Sequence, residues 1–457
     1  MPTRRTVLDQ LASFGAAATA ATYFPLSLAS SSEKAKSVAK PRDSKSIRIK
    51  SLVRRDDTVI RHGGNGDNWH MSWASDDRLY VSLCDGGGFS SNPPASYNSR
   101  MLAITGGPLD AQFHDISRYP MLGRPIQKEN DARYYNFGTL ALDEHLYQFM
   151  STFNRPLQAD ETEKRDPKNP LRFTGVKLIY SPNNGRTWHN QDGSTPVAWE
   201  DWNHRSRDTM VFFEEDQEAF SLLTVLQMGR NYEYNRDGYV YLYSPNGNTE
   251  GTMNELVMFR VPKGRILHRQ SYEYFAGYDS KSSAKWTKDI TQRSAVHTFP
   301  RGWINTFVHP FAWQPSVIFN APLGIYIMAN WGMGTSPDGN WFEKPSYLGF
   351  WISKNCWGPW TQIHEETSWM PAGDPHARAY SPQIAPKWIS QDGRSFWLVW
   401  TDFQVTDPEA RKRANDDYAG IPPDSYSAAD VARGVNQMRE YMPYYAFNAQ
   451  RVDLTVY

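Results

Sequence analysis

Asn136-Phe137-Gly138-Thr139-Leu140-Ala141-Leu142, His145-Leu146-Tyr147-Gln148-Phe149-Met150 and Val176-Lys177-Leu178-Ile179-Tyr180-Ser181 follow one another as short apolar and aromatic runs. Each is of strand length, rich in β-formers, and bounded by residues that favour turns. The same order recurs along the chain. Asn68–Trp73, Arg78–Leu83 and Met101–Ile104 precede it; Phe220–Met228, Gly238–Tyr243 and Glu255–Val261 follow. Pro315–Asn320, Gly324–Asn330 and Tyr347–Ser353 make a fourth unit, and Tyr380–Ala385, Ser395–Thr401 and Pro443–Leu454 a fifth. A small antiparallel sheet cannot bury both faces alone, so repeated sheets predict blades around an axis. The expectation is an all-β chain folded as a single β-propeller, with a β-sandwich carrying long loops as the alternative. Five units are legible, and blades of roughly 40–50 residues leave room for five to seven.

A local motif supports the blades. Ser181-Pro182-Asn183-Asn184-Gly185-Arg186-Thr187-Trp188 resembles the Asp-box of sialidases and related propellers, with Asn183 in place of Asp. A side-chain carbonyl and a glycine close the hairpin while the Trp tucks against the sheet. Ser353-Lys354-Asn355-Cys356-Trp357-Gly358-Pro359-Trp360-Thr361 is a looser version in the fourth unit. Such turns report fold, not catalysis. Helical periodicity is scarce; Ser427 to Tyr441 is the good candidate.

Beyond the repeats, composition narrows the function. Lys+Arg and Asp+Glu number 49 each, so no global field recruits nucleic acid or an acidic membrane. Aromatics reach 14% of a hydrophilic chain, suiting strands and blade seams and also the stacking of sugar rings. Cys84 and Cys356 could pair, or could be two buried thiols, and no Cys/His spacing asks for a metal. Thr3-Arg4-Arg5-Thr6-Val7-Leu8, an Ala-rich run from Leu11 to Leu28 and Ser27-Leu28-Ala29 read as a twin-arginine-like signal peptide over 1–29. A Ser/Lys-rich spacer is expected over 30–50 and the propeller over 51–457. The protein is therefore expected to be exported to the periplasm or medium, and to act there as a monomer without further membrane contact.

Four segments carry chemistry. Arg61-His62-Gly63-Gly64-Asn65-Gly66-Asp67-Asn68-Trp69-His70 brings a carboxylate, an amide, an indole and an imidazole together after a glycine-rich approach. Arg133-Tyr134-Tyr135-Asn136 opens the second unit. Gln227-Met228-Gly229-Arg230-Asn231-Tyr232, with Tyr241 and Tyr243 following, suits a bidentate grip on a carboxylate. Val308-His309-Pro310-Phe311-Ala312-Trp313-Gln314 opens the fourth unit, and His376, Arg378 and Tyr380 precede the last inner strand. Each also has a plain structural reading as a turn, a seam or a surface group.

No G-x-S-x-G, H-E-x-x-H, P-loop or dinucleotide fingerprint is present. A glycosidase needs two carboxyls; Asp67, Asp85, Glu233 or Glu255 could serve, but no context selects a pair. His, Tyr, Arg and Asn instead suit uronate lysis. An Arg or Asn neutralises the carboxylate next to the C5 proton, an imidazole or phenolate removes that proton, and a phenol protonates the leaving oxygen.

Gly66–Ala74 through Leu83-Cys84-Asp85-Gly86, with Tyr241–Asn246 and Arg260–Leu267, resembles secreted bacterial propellers of the ulvan lyase and DUF4185-like kind. The likeness covers most of the chain from about Arg61. It implies seven blades and a lyase acting on a uronate-containing, ulvan-like polysaccharide. By that resemblance His70 is the base, Arg230 the carboxylate neutraliser, and Tyr243 or Tyr134 the acid. Asn68, Trp69, Asn136, Asn231, Tyr232, His309, Trp313 and Arg378 are the expected substrate contacts. No cofactor is required, and a glycoside hydrolase or a sugar-binding propeller are the alternatives.

Overall fold

Strands buried on both faces read as continuous apolar runs, not as alternations. Tyr135–Leu142 and Ser346–Ser353 are buried at every position, as stacked sheets require. The computed structural model describes residues 49–123, 133–155, 172–247, 254–300, 314–332, 346–421 and 425–457. Within them the five units become five antiparallel sheets. From the axis outward, the first comprises Met71–Trp73, Leu79–Leu83, Tyr97–Thr105 and Gln112–Asp115. The second comprises Tyr135–Leu142, His145–Phe153, Phe173–Ser181 and His189–Asn190. Thr224–Val225, Tyr239–Pro245, Glu255–Pro262 and Glu273–Tyr278 form the third. The fourth is Ser316–Asn320, Ile325–Gly332, Ser346–Ser353 and Thr361–Trp369.

The fifth sheet closes the ring. Ala379–Ile389, Ser395–Asp402 and Phe447–Val456 take their outermost strand, Ile49–Arg54, from the other end of the described chain. Leu52 faces Leu454 and Arg54 faces Val452 across that seam. Arg54 then donates to both oxygens of Glu366 on the outer strand of the fourth sheet, at 2.6 and 2.7 Å. The architecture is a five-bladed propeller. The seven blades implied by the resemblance are corrected to five: the legible units account for every sheet among the described residues.

Each innermost strand is pinned to the next by a polar group. Ala141 N–H donates to Ser72 Oγ at 2.9 Å, and Gln227 Nε2 donates to Thr139 O at 3.1 Å. Gln227 N–H donates to Val317 O in a parallel bridge, and Ile384 N–H donates to Ser316 Oγ. Ser381 Oγ reaches Asn68 Oδ1 at 3.2 Å to complete the circle. Among the described residues the inner strands share no continuous ladder, and these single bonds satisfy backbone groups that the sheets leave unpaired.

Apolar cores fill the gaps between blades. Tyr80, Met101 and Ala103 of the first sheet pack on Leu146, Met150, Ile179 and Trp188 of the second. Ile327, Leu348 and Phe350 of the fourth meet Ile384, Leu398 and Trp400 of the fifth. The Asp-box-like turn behaves as its residues require. Asn183 Oδ1 accepts from Thr187 N–H at 2.9 Å, Gly185 adopts φ +88°, and Trp188 is buried against Tyr119. It joins the third and fourth strands of its blade, as does the variant after Ser353.

The expected helix forms as Ala428–Tyr441, with a capping box between Ser427 and Asp430. A second helix, Pro408–Asp417, goes beyond the expectation; Asp407 caps it and Pro408 opens it. No described helix is long and apolar enough to cross a membrane. The signal peptide and nearly all of the spacer lie outside the described residues.

Candidate functional site

Inner strands all begin at one rim of the ring, here the upper rim, and end at the lower. At the upper rim the first and fifth blades converge on Asp67. Its Oδ2 accepts from Tyr380 Oη at 2.6 Å and from Tyr445 Oη at 3.1 Å, and its Oδ1 accepts from Asn68 Nδ2 at 2.8 Å. Asn68 holds φ +56°, a left-handed backbone that an Asn tolerates and that turns its amide toward both Asp67 and Ser381. Tyr445 Oη also reaches the carbonyl of Asp85. Asp67 is fully buried, so two phenols and an amide supply the hydrogen bonds that water would otherwise give its charge.

His70 continues the same rim toward the fourth blade. Its Nε2 lies 3.0 Å from Gln314 Oε1, within hydrogen-bond reach. Burial lowers its pKa to about 4, against the smaller opposing effect of the Gln314 bond, so the imidazole is neutral at pH 7. Gln314 itself is buried, and its Nε2 has no partner. An aromatic wall from several blades surrounds these groups: Tyr135, Phe137, Phe173, Trp331, Tyr380 and Phe403 pack with the helices above.

Beside this centre Asp402 ends the second strand of the fifth blade. Its Oδ1 accepts from Arg378 N–H at 2.7 Å, and its Oδ2 stands 3.9 Å from the Arg61 guanidinium. Burial is the main influence and raises the Asp402 pKa to about 6, against the lowering effects of the Arg378 N–H and of Arg61. Arg61 lies over the Tyr444 ring at 4.0 Å.

The residues expected from sequence separate into groups. Asn68, His70 and Arg378 stand at the upper rim. Trp69, though adjacent, is fully buried between the first and fifth blades, its Nε1 donating to Thr401 Oγ1. Asn136 is a seam residue, accepting from Ser99 and Tyr119 and donating to Arg100 O. Tyr134 points outward and donates to Glu200 Oε2 at 2.9 Å. Tyr243 is buried in the core between the third and fourth blades, its hydroxyl donating to Cys356 O at 2.7 Å.

Arg230 lies at the opposite rim, donating to Ser75 O from Nε at 3.1 Å, with a second, shorter contact through Nη2. Ser75 is five residues beyond His70, roughly 16 Å of extended chain. Asn231 accompanies Arg230 by bonding Asp143 in the neighbouring lower turn, and Tyr232 is buried with its hydroxyl accepting from Tyr241 N–H. His309 and Trp313 lie outside the described residues. Thus the expected quartet His70, Tyr134, Arg230 and Tyr243 does not meet: the pleat and the blade order send its members to the axis, a side wall, the lower rim and a dry core.

Gln314 and Tyr380 fall near expected segments, but Tyr445 and Asp402 carry no sequence signal beyond being polar ends of strands. Cys84 and Cys356 are separate buried thiols, not a disulfide. Among the described residues no cluster of three or more His, Cys, Asp or Glu is arranged to hold a metal ion.

No family model and no curated protein matches the chain. Among solved structures, a proposed hydrolase from Bacteroides ovatus aligns with 92% of this chain and 97% of its own, at 13% identity and a TM-score of 0.44. The Bacteroides ovatus xyloglucan PUL protein GH43B aligns with 75% of this chain and 50% of its own, at 10% identity and a TM-score of 0.40. The α-L-arabinofuranosidase PaAbf62A of Podospora anserina aligns with 86% of this chain and 92% of its own, at 10% identity and a TM-score of 0.37. These likenesses are distant, and no activity is carried from them to this chain.

Proposed function

We propose that this propeller is an exported carbohydrate-active enzyme that hydrolyses a glycosidic bond at its upper rim. The observation that carries the reading is Asp67, a buried carboxylate at the upper rim, gripped by two phenols from a different blade and walled by aromatic rings. A carboxylate at this position can serve as base or nucleophile toward an anomeric carbon. Hydrolysis also needs a proton-donating carboxyl, and Asp402, protonated up to about pH 6, has the ionisation that role requires. The Arg61–Asp402 pair can exchange its weak mutual contact for sugar hydroxyl groups.

Elimination from a uronate-containing polysaccharide is the second reading, favoured by one feature: His70 is a neutral imidazole at the same rim, the state a proton-abstracting base needs. The acid and carboxylate-neutralising partners assigned with it, Tyr243 and Arg230, stand elsewhere. Incubation with neutral and uronate-containing polysaccharides tests both readings. New reducing ends without ultraviolet absorbance mean hydrolysis; reducing ends with the absorbance of an unsaturated uronide mean elimination. Neither signal with any polysaccharide rejects both.

A further inference from the structure

A cleft of about 790 Å³ opens on the side wall between the second and third blades, apart from the upper-rim site. Its volume falls among those of small-molecule sites, roughly 300–1,000 Å³. Its floor holds two ion pairs. Lys177, itself buried, donates to both oxygens of Glu200 at 2.8 and 2.9 Å, and Arg269 donates to Glu215 Oε1 at 2.9 Å. Arg207 also stands 3.8 Å from Glu215. Tyr180 forms part of one wall, in a row of near-parallel rings running from His145 and Tyr147 to His189.

The charges decide the ligand class. All three cations of the lining already face carboxylates, and Asp192 and Asp208 add negative charge at the exposed margin. An acidic chain would meet no free cation and would be repelled at the mouth. A neutral polyhydroxyl chain fits: its hydroxyls donate to Glu200, Glu215 and the aspartates, accept from Lys177 and Arg269, and its C–H faces lie on the Tyr180 row. We infer that this cleft is a separate binding site for a neutral oligosaccharide segment. The inference rests on the chemistry of the cleft alone and stands or falls independently of the axial site.

The test is calorimetric titration with xylohexaose, cellohexaose, mannohexaose and trigalacturonic acid. The proteins compared are the wild type, Tyr180→Ala, Asp67→Asn and Ala198→Trp. The last fills the cleft from its exposed margin while keeping the Ala198 N–H bond to Asn190. At least one neutral hexaose should bind, bind equally to Asp67→Asn, and weaken roughly tenfold or more in Ala198→Trp and Tyr180→Ala. Trigalacturonic acid should bind more weakly than the best hexaose. Because Ala198→Trp removes no buried contact, its melting temperature should match the wild type, which separates blocking from misfolding. The inference is overturned if no hexaose binds, if Ala198→Trp binds as the wild type does, if binding is lost only in Asp67→Asn, or if the acidic trimer binds best.

Discussion

Replacing Asp402 with Asn should stabilise the protein at alkaline pH and leave it nearly unchanged in acid. The carboxyl is buried, and its pKa stands at about 6 against an ordinary 3.8. Between those values the native chain binds a proton that the unfolded chain has released, so stability falls as pH rises through the folded pKa. Two units at 1.36 kcal/mol each make the loss about 3 kcal/mol above pH 7. The substituted amide would keep the acceptor for Arg378 N–H while removing the buried charge. The attraction of Arg61 is already contained in that folded pKa, so losing it adds no separate cost. The expected gain is about 3 kcal/mol near pH 8, read as a higher urea midpoint, with little difference near pH 4. A variant destabilised equally at both pH values would show that Asp402 is ionised throughout and acts as a structural partner of Arg61. If Asp402 is also the proton donor, the stabilised variant should lose glycan cleavage, the trade expected where a site keeps a group its fold would shed.

Three further outcomes follow from named contacts. Arg54→Met should lower the unfolding free energy by about 3 kcal/mol, read as a lower urea midpoint, because it leaves Glu366 half-buried without its bidentate partner and loosens the closing strand; a wild-type midpoint would mean the ring closes without that bridge. His70 has a folded pKa below its ordinary 6.5, so the stability it contributes is full above that value and is lost as pH falls toward 4. His70→Gln should therefore blunt acid unfolding by up to about 3 kcal/mol, measured as the difference in midpoint between pH 7 and pH 4. Tyr243→Phe should cost about 1 kcal/mol of stability and leave cleavage intact, as should Arg230→Ala for cleavage; a fall in kcat by orders of magnitude in either would return that residue to the chemistry.

The blades are legible because a strand covered on both faces has to be apolar throughout, and Asn183, Gly185 and Trp188 mark the hairpin between two of them. The closing strand is not: Ile49–Arg54 is short, shows no apolar alternation, buries only Leu52, and gains its partner from Phe447–Val456. Helix Pro408–Asp417 escapes for a related reason, burying only Ala410 and Ala414 amid charged residues. The site is harder still. Polar side chains on inner strands suggest catalysis, yet Ser72, Gln227 and Ser316 pin one blade to the next, and sequence does not distinguish a pin from a ligand contact. The pairing of Asp67 with Tyr380 and Tyr445 spans 313 and 378 residues, so only the closed ring reveals it.

The decisive measurement is the product yield of wild type and Asp67→Asn on a polysaccharide that the wild type cleaves, with circular dichroism confirming that both are folded. The account predicts new reducing ends from the wild type, no ultraviolet absorbance from an unsaturated uronide, and loss of turnover by roughly a hundredfold or more in the variant. A folded Asp67→Asn protein that cleaves at the wild-type rate would contradict it.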